Sequence, residues 1–202
     1  MLRVTQGQSK KHSRKDKTAD ILYDVFPKHV ADALRQGRPV EPERKDCVTI
    51  FFSDIVGFTT ISSSLDPEKV STMLHRLYTA FDALSSAHRI FKVETIGDAY
   101  MAVTNLVEDQ LNDHAVRMAR FAVSAIQAAR NTLIDLDNPS LGTVRIRVGL
   151  HSGPVVANVV GTRNKRYCLF GDSVNTAARM ESNSEVGGYC VSHHLNCPPA
   201  HG

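Results

Sequence analysis

Residues 47–59 read CVTIFFSDIVGFT. From Cys47 to Ser53 the run is almost unbroken in apolar, β-branched and aromatic side chains, the pattern of a strand buried on both faces. It ends abruptly at a carboxylate, Asp54, and Gly57 follows, where a residue without Cβ permits close backbone approach. Downstream, Asp66 and Pro67 form an N-cap and first-turn pair, and Val70, Met73, Leu74, Leu77, Tyr78, Phe81 and Leu84 then recur at three-and-four spacing. That spacing predicts a helix with one buried face. Ile90 to Thr95 and Asp98 to Val103 are strand-like runs separated by Ile96 and Gly97, which reads as a tight β-hairpin whose turn carries a second acid, Asp98.

Asp113 is placed to cap a second amphipathic helix running through Met118, Ala122, Ile126 and Leu133, ended by the loop around Asn138 to Gly142. Val144, Ile146, Val148 and Leu150 alternate with Arg145, Arg147 and Gly149, so this strand buries one face and presents arginine on the other. A turn at Ser152 to Pro154 is expected to separate it from another strand, Val155 to Val160. Asp172 to Glu181 is helical in character, and Tyr189 to Ser192 suits a last short strand. Strand, helix, two-strand hairpin, helix, strand is the order of a split βαβ arrangement, an α+β sandwich of ferredoxin-like type.

Upstream, residues 1–20 are polar, charged and aperiodic, and read as a disordered basic tail. Six Lys or Arg there against Asp16 and Asp20 give +4, so the net +3 of the chain leaves about −1 for the rest. The folded body therefore lacks the basic stripe of a nucleic-acid binder. Residues 21–44 read as a helical linker in two short pieces broken at Pro27 and ending near Gly37, with Pro39 to Arg44 as a connector; residues 45–202 form the main domain. The longest apolar run, Val48 to Phe52, is far too short to span a bilayer, and the N-terminus has no secretory signal. Four unevenly spaced cysteines, Cys47, Cys168, Cys190 and Cys197, argue for free thiols in a reducing compartment.

Two carboxylates at adjacent strand ends can hold hard cations, because Mg²⁺ prefers a few carboxylate oxygens with substrate phosphates completing its shell. Backbone N–H groups after Asp54 can turn toward a polyphosphate. Either acid alone is more often a turn or cap residue than a metal ligand. The surrounding strings decide between these readings: FFSDIVGFT (51–59), VETIGDAYM (93–101), RVGLHSGPVVANVVG (147–161) and RYCLFGDSVNTAARMES (166–182) resemble, in order, the signature segments of class III adenylyl and guanylyl cyclase domains. The stretch from Ile21 to Val40, with FPKHVADAL and GRPV, resembles the linker preceding the domain in guanylyl cyclases.

That resemblance implies the class III cyclase fold and a head-to-tail dimer with active sites in the interface. Asp54, Asp98 and the carbonyl of Ile55 are then expected to bind two Mg²⁺ or Mn²⁺ ions, with Gly57, Phe58, Thr59 and Arg147 contacting the substrate. The partner is expected to supply Asn175, orienting the ribose, and Arg179, stabilising charge on the α-phosphate; the two lie four apart and share a helix face. Guanine-selective members of the family place a glutamate and a cysteine in the base pocket, where adenine-selective ones use lysine with aspartate or threonine. Glu94 and Cys168 match the guanine pair. The implied activity is conversion of GTP to cyclic GMP and pyrophosphate, a guanylate cyclase on the cytoplasmic side, as a homodimer or a heterodimer with another cyclase domain. The alternatives are a silent partner subunit and an adenylate cyclase. Family members continue beyond the segment ending near Ser192 with a strand pair and a triphosphate-contacting lysine; here the chain ends in LNCPPAHG, and the resemblance implies a C-terminally truncated domain with an upstream regulatory or membrane domain in its parent. Cys190, His193, His194 and Cys197 have no standard zinc spacing, His151 is read as structural, and Lys10 to Lys17 as a solvated tail.

Overall fold

In the computed structural model, residues 22–192 are described. The chain divides into two compact units, of which the larger comprises, among these residues, 43–157 and 168–192, and the smaller 22–42 and 158–167. The smaller holds a helical turn at 22–25 and helix α1, Lys28–Arg35, broken at Pro27 and closed by Gly37 at φ +66°, as the proline and glycine predict. Tyr23 donates to Asp32 at 2.7 Å and accepts from Arg35 at 2.9 Å.

Six strands form one sheet: β1 Glu43–Ile55, β2 Phe91–Ile96, β3 Ala99–Thr104, β4 Ile146–Val160, β5 Arg166–Phe170 and β6 Tyr189–Val191. The path is β2-β3-β1-β4-β5, with β6 parallel to β4 at Val148–Leu150. Its first four members reproduce the expected split βαβ order, and the class is α+β. Between the strands run α2 Phe58–Ser64, α3 Pro67–His88, α4 His114–Arg130 and α5 Asp172–Ser182.

The core lies between the sheet and α3 with α4. Phe51 and Tyr100 from the strands meet Phe81 of α3 and Phe121 of α4, with ring centroids 4.9 to 6.4 Å apart, in a cluster closed by Met73, Leu77 and Met118. Val148 and Leu150 point into this core, so Gly149 between them must face the other way. There α5 presses so close that a Cβ on Gly149 would lie 2.1 Å from the Glu181 nitrogen and 2.3 Å from the Ala177 oxygen. The two faces of the sheet thus carry different elements: α3 and α4 on one, α5 on the other.

Several expectations are corrected. No turn interrupts Ser152 to Pro154; β4 is one 15-residue strand. Pro154 falls opposite a bulge in β1 between Lys45 and Val48, a position where the missing N–H of proline costs no ladder bond. The hairpin turn is one residue later than predicted: Ile96 pairs with Ala99, and Gly97, at φ +63°, turns the chain together with Asp98. Helix α4 ends at Arg130, and Leu133 instead bridges Thr143. Asp66 and Asp113 occupy the N-cap positions without side-chain capping bonds; Asp113 pairs with Arg117 at 2.6 Å. Cys168 and Cys190 take part in no disulfide, whereas Cys47 is disulfide-bonded, against the expectation of free thiols. No helix among the described residues is long and apolar enough to cross a membrane.

Candidate active site

Asp54 is the penultimate residue of β1, and Asp98 belongs to the turn between β2 and β3. Because β3 lies beside β1 in the sheet, two acids separated by 43 intervening positions come to the same strand ends. Burial first, then hydrogen bonding and charge from neighbouring Asp54, raise the Asp98 pKa from 3.8 to about 6. The N–H groups of Ile55 and of Asp98 itself donate to the Asp98 carboxylate and pull the other way. Above the sheet end stands Tyr78 of α3, its phenol pushed upward by burial and then by the charges of Asp98 and Asp54.

Across β1, Asp54 faces Arg147 of β4 in direct register, and the Arg147 guanidinium donates to its Oδ2 at 3.0 Å. The Nε of Arg147 donates to Oε1 of Glu181 at 2.8 Å, and Glu181, with its side chain 9% exposed, is the more deeply buried of the two acids. Glu181 first and Asp54 second hold the guanidinium firmly protonated. The charge row is therefore Asp98, Asp54, Arg147, Glu181, spanning the end of the sheet and the buried side of α5.

This arrangement fits a hard divalent cation. Two carboxylates in contact repel when both are ionised, and the rise at Asp98 records that repulsion together with its burial; a cation between them removes the repulsion. Among the described residues no three His, Cys, Asp or Glu side chains form a cage. A two-carboxylate site leaves coordination positions for a backbone oxygen, water and phosphate, which suits Mg²⁺ and its relatives and not a closed structural zinc site.

The remaining predicted positions distribute over other elements. Gly57, at φ +72°, precedes α2, and Phe58 and Thr59 open that helix beside Asp54. Asn175 and Arg179 are both exposed on α5; Arg179 donates to Thr176 at 2.9 Å and lies 3.6 Å from Asp172. Glu94 and Cys168 are half-buried, on the first and last strands of the sheet path respectively. His151 bonds Ser192 at 2.7 Å, in keeping with a structural reading. His193, His194, Cys197 and Lys10 to Lys17 lie outside the described residues. Glu181 carries no role in the sequence reading although it stands inside the RMES string; the signal was a carboxylate at helical spacing from buried Ser173 and Ala177, hence on the inward face.

Residues 40–196 match the family model of the adenylate and guanylate cyclase catalytic domain. The chain belongs to this cyclase family. Human retinal guanylyl cyclase 1 is 51% identical over 168 residues, which is 83% of this chain and 15% of that protein, so the cyclase domain spans a small part of its curated relative's length. Among solved structures, the guanylate cyclase domain of RhGC from Catenaria anguillulae in complex with GTP superposes with a TM-score of 0.71 at 40% identity, covering 76% of this chain and 81% of that one. A non-canonical dimeric guanylyl cyclase domain of the RhoGC fusion protein from Blastocladiella emersonii gives 0.69 at 40% identity, covering 76% and 83%.

Proposed function

We propose that this cyclase domain converts GTP to cyclic GMP and pyrophosphate at a site completed by a second chain. The observation that carries the reading is the placement of Asp54 and Asp98 at adjoining strand ends, flanked by Arg147. Asp54, Asp98 and the Ile55 carbonyl are the groups to hold Mg²⁺ or Mn²⁺, two per site. Bound there, the ions make the ribose 3′-hydroxyl more acidic and neutralise the triphosphate as that oxygen attacks the α-phosphate. The rest falls to side chains and backbone. Gly57, Phe58 and Thr59 offer N–H groups to the phosphates, and Arg147 adds a fixed positive charge beside them.

Asn175 and Arg179 stand exposed on α5, suited to reach out of their own chain. We assign Asn175 to orienting the ribose and Arg179 to the charge that develops on the α-phosphate, each acting on the substrate held by the opposite chain of a head-to-tail dimer. Glu94 accepts from the N1–H and 2-amino donors of guanine, and Cys168 completes that pocket. GTP binding by one structural neighbour supports the choice of nucleotide, and the non-canonical dimer of another supports the pairing of two such domains without bearing on their head-to-tail arrangement.

The test is product chromatography of the purified chain incubated with Mn²⁺ and either GTP or ATP. Cyclic GMP is expected from GTP, with loss of at least about 100-fold in Asp98→Asn at unchanged circular dichroism. Absence of cyclic GMP at every protein concentration sinks the proposal. Cyclic AMP in preference would instead make the domain an adenylate cyclase.

A further inference from the structure

Among the described residues the strand β2 closes one end of the sheet path and is paired in it only to β3, and the hairpin they form carries both Asp98, at its turn, and Glu94. A bulge between Lys92 and Glu94 interrupts the ladder, and Ile96, beside the turn, is 58% exposed. A shared cation site demands that such a hairpin end be fixed to within a fraction of an ångström. Helix α3 adds a restraint from outside the sheet. Its Tyr78 hydroxyl donates to the carbonyl of Gly97, the residue before Asp98, at 3.2 Å. One turn further along, Asp82 accepts from the Tyr100 hydroxyl at 2.9 Å and from the Lys92 ammonium at 2.9 Å. Lys92 also lies 5.3 Å from the centroid of the Tyr100 ring. The Tyr78 and Phe81 rings lean on that same ring at 5.6 and 5.2 Å, so Tyr78 approaches the turn from a packed base.

We infer that Tyr78 is a positioning residue for the cation site: its hydroxyl, through Gly97, holds the turn at which Asp98 meets Asp54, and Asp82 secures the two strands behind it. The inference rests on the metal-dependent reading of Asp54 and Asp98. It distinguishes the hydroxyl from the ring. The ring packs into the core, whereas the hydroxyl reaches the backbone next to a ligand, so the two contributions separate on removal of a single oxygen.

The experiment is Mn²⁺ binding, followed by electron paramagnetic resonance, to the full chain and to Tyr78→Phe, Asp82→Asn and Asp98→Asn, with thermal melting and the Mn²⁺ dependence of turnover measured alongside. Tyr78→Phe is expected to weaken Mn²⁺ binding about three- to tenfold, as the loss of one neutral hydrogen bond implies, and to raise the Mn²⁺ needed for half-maximal turnover by the same factor. The KM for GTP at saturating Mn²⁺ and the melting temperature are expected to stay put. Asp82→Asn keeps an acceptor for Tyr100 but loses the ion pair with Lys92, and is expected to shift Mn²⁺ binding in the same direction by less. Wild-type Mn²⁺ affinity in Tyr78→Phe overturns the inference. So does a uniform fall in kcat that tracks a lowered melting temperature, since that is the signature of packing alone. Mn²⁺ that binds the wild type and Asp98→Asn alike removes the metal reading itself, and the inference with it.

Discussion

A carboxylate accepts from the paired donors on the edge of guanine, and adenine offers no such pair, so a glutamate in the base pocket is left buried and unpaired by ATP. Glu94→Lys combined with Cys168→Asp is expected to lower the GTP-over-ATP ratio of kcat/KM by about 100-fold or more. Steady-state kinetics with both nucleotides read this directly; an unchanged ratio means the base contacts another surface. The positions of the two residues make the single substitutions informative as well. They stand on the first and last strands of the sheet path. If both touch one base, the two single changes are non-additive by more than about 0.5 kcal/mol, and additive effects place them in separate environments. Arg147 follows a different logic at this scale. Alternation with buried Ile146 and Val148 places it on the polar face, but only the structure shows that Glu181 holds it from behind while Asp54 takes its other end.

Between elements, the contact of β4 with α5 leaves no room for a methyl group. Gly149→Ala would press its Cβ against three backbone atoms of α5, which yields only by shifting the whole helix. The expected cost is about 3 kcal/mol, read from the urea denaturation midpoint, with turnover falling further than the lost stability explains because α5 also carries Asn175 and Arg179. A second inter-element contact gives pH dependence. His114 opens α4 and is buried, with its Nδ1 2.6 Å from Thr49 of β1, whose hydroxyl is 2.7 Å from Ser152 of β4. Burial lowers its pKa from 6.5, with nearby Asp113 opposing. Below pH 6.5 the unfolded chain therefore takes up a proton that the native chain resists, so stability is full above that value and falls as the pH drops. The melting temperature is expected to decrease between pH 7.5 and 5.5 less steeply in His114→Asn than in the wild type. Elements of this kind also show what sequence can and cannot carry. Helix α3 and the strand around Phe51 were legible because periodicity reports a buried face wherever one exists. The continuity of β4 through Ser152 to Pro154 was not, because Gly and Pro signal a turn locally while a bulge in the partner strand, more than 100 residues earlier, makes them compatible with a strand. Helix α2 was missed for the same reason: seven residues rich in Ser and Thr have no apolar period to read.

At the scale of the whole molecule, the proposed reaction takes the acids from one chain and the exposed Asn175–Arg179 face from another. Symmetry turns this into a quantitative expectation. Asp98→Asn spoils the acidic half and leaves Arg179 intact; Arg179→Ala does the reverse. Each variant alone has no complete site in its dimer. Mixed one to one, with free exchange, half of the dimers combine the two variants, and in each of these one site pairs two spoiled halves while the other pairs two intact ones. Cyclic GMP production is then expected to return to about a quarter of the wild-type rate at equal total protein. Recovery should also fall on dilution, since the intact site exists only in the associated state. A mixture that stays as inactive as its components, under conditions where sedimentation shows mixed dimers, would mean that each chain draws its acids and its arginine into the same site.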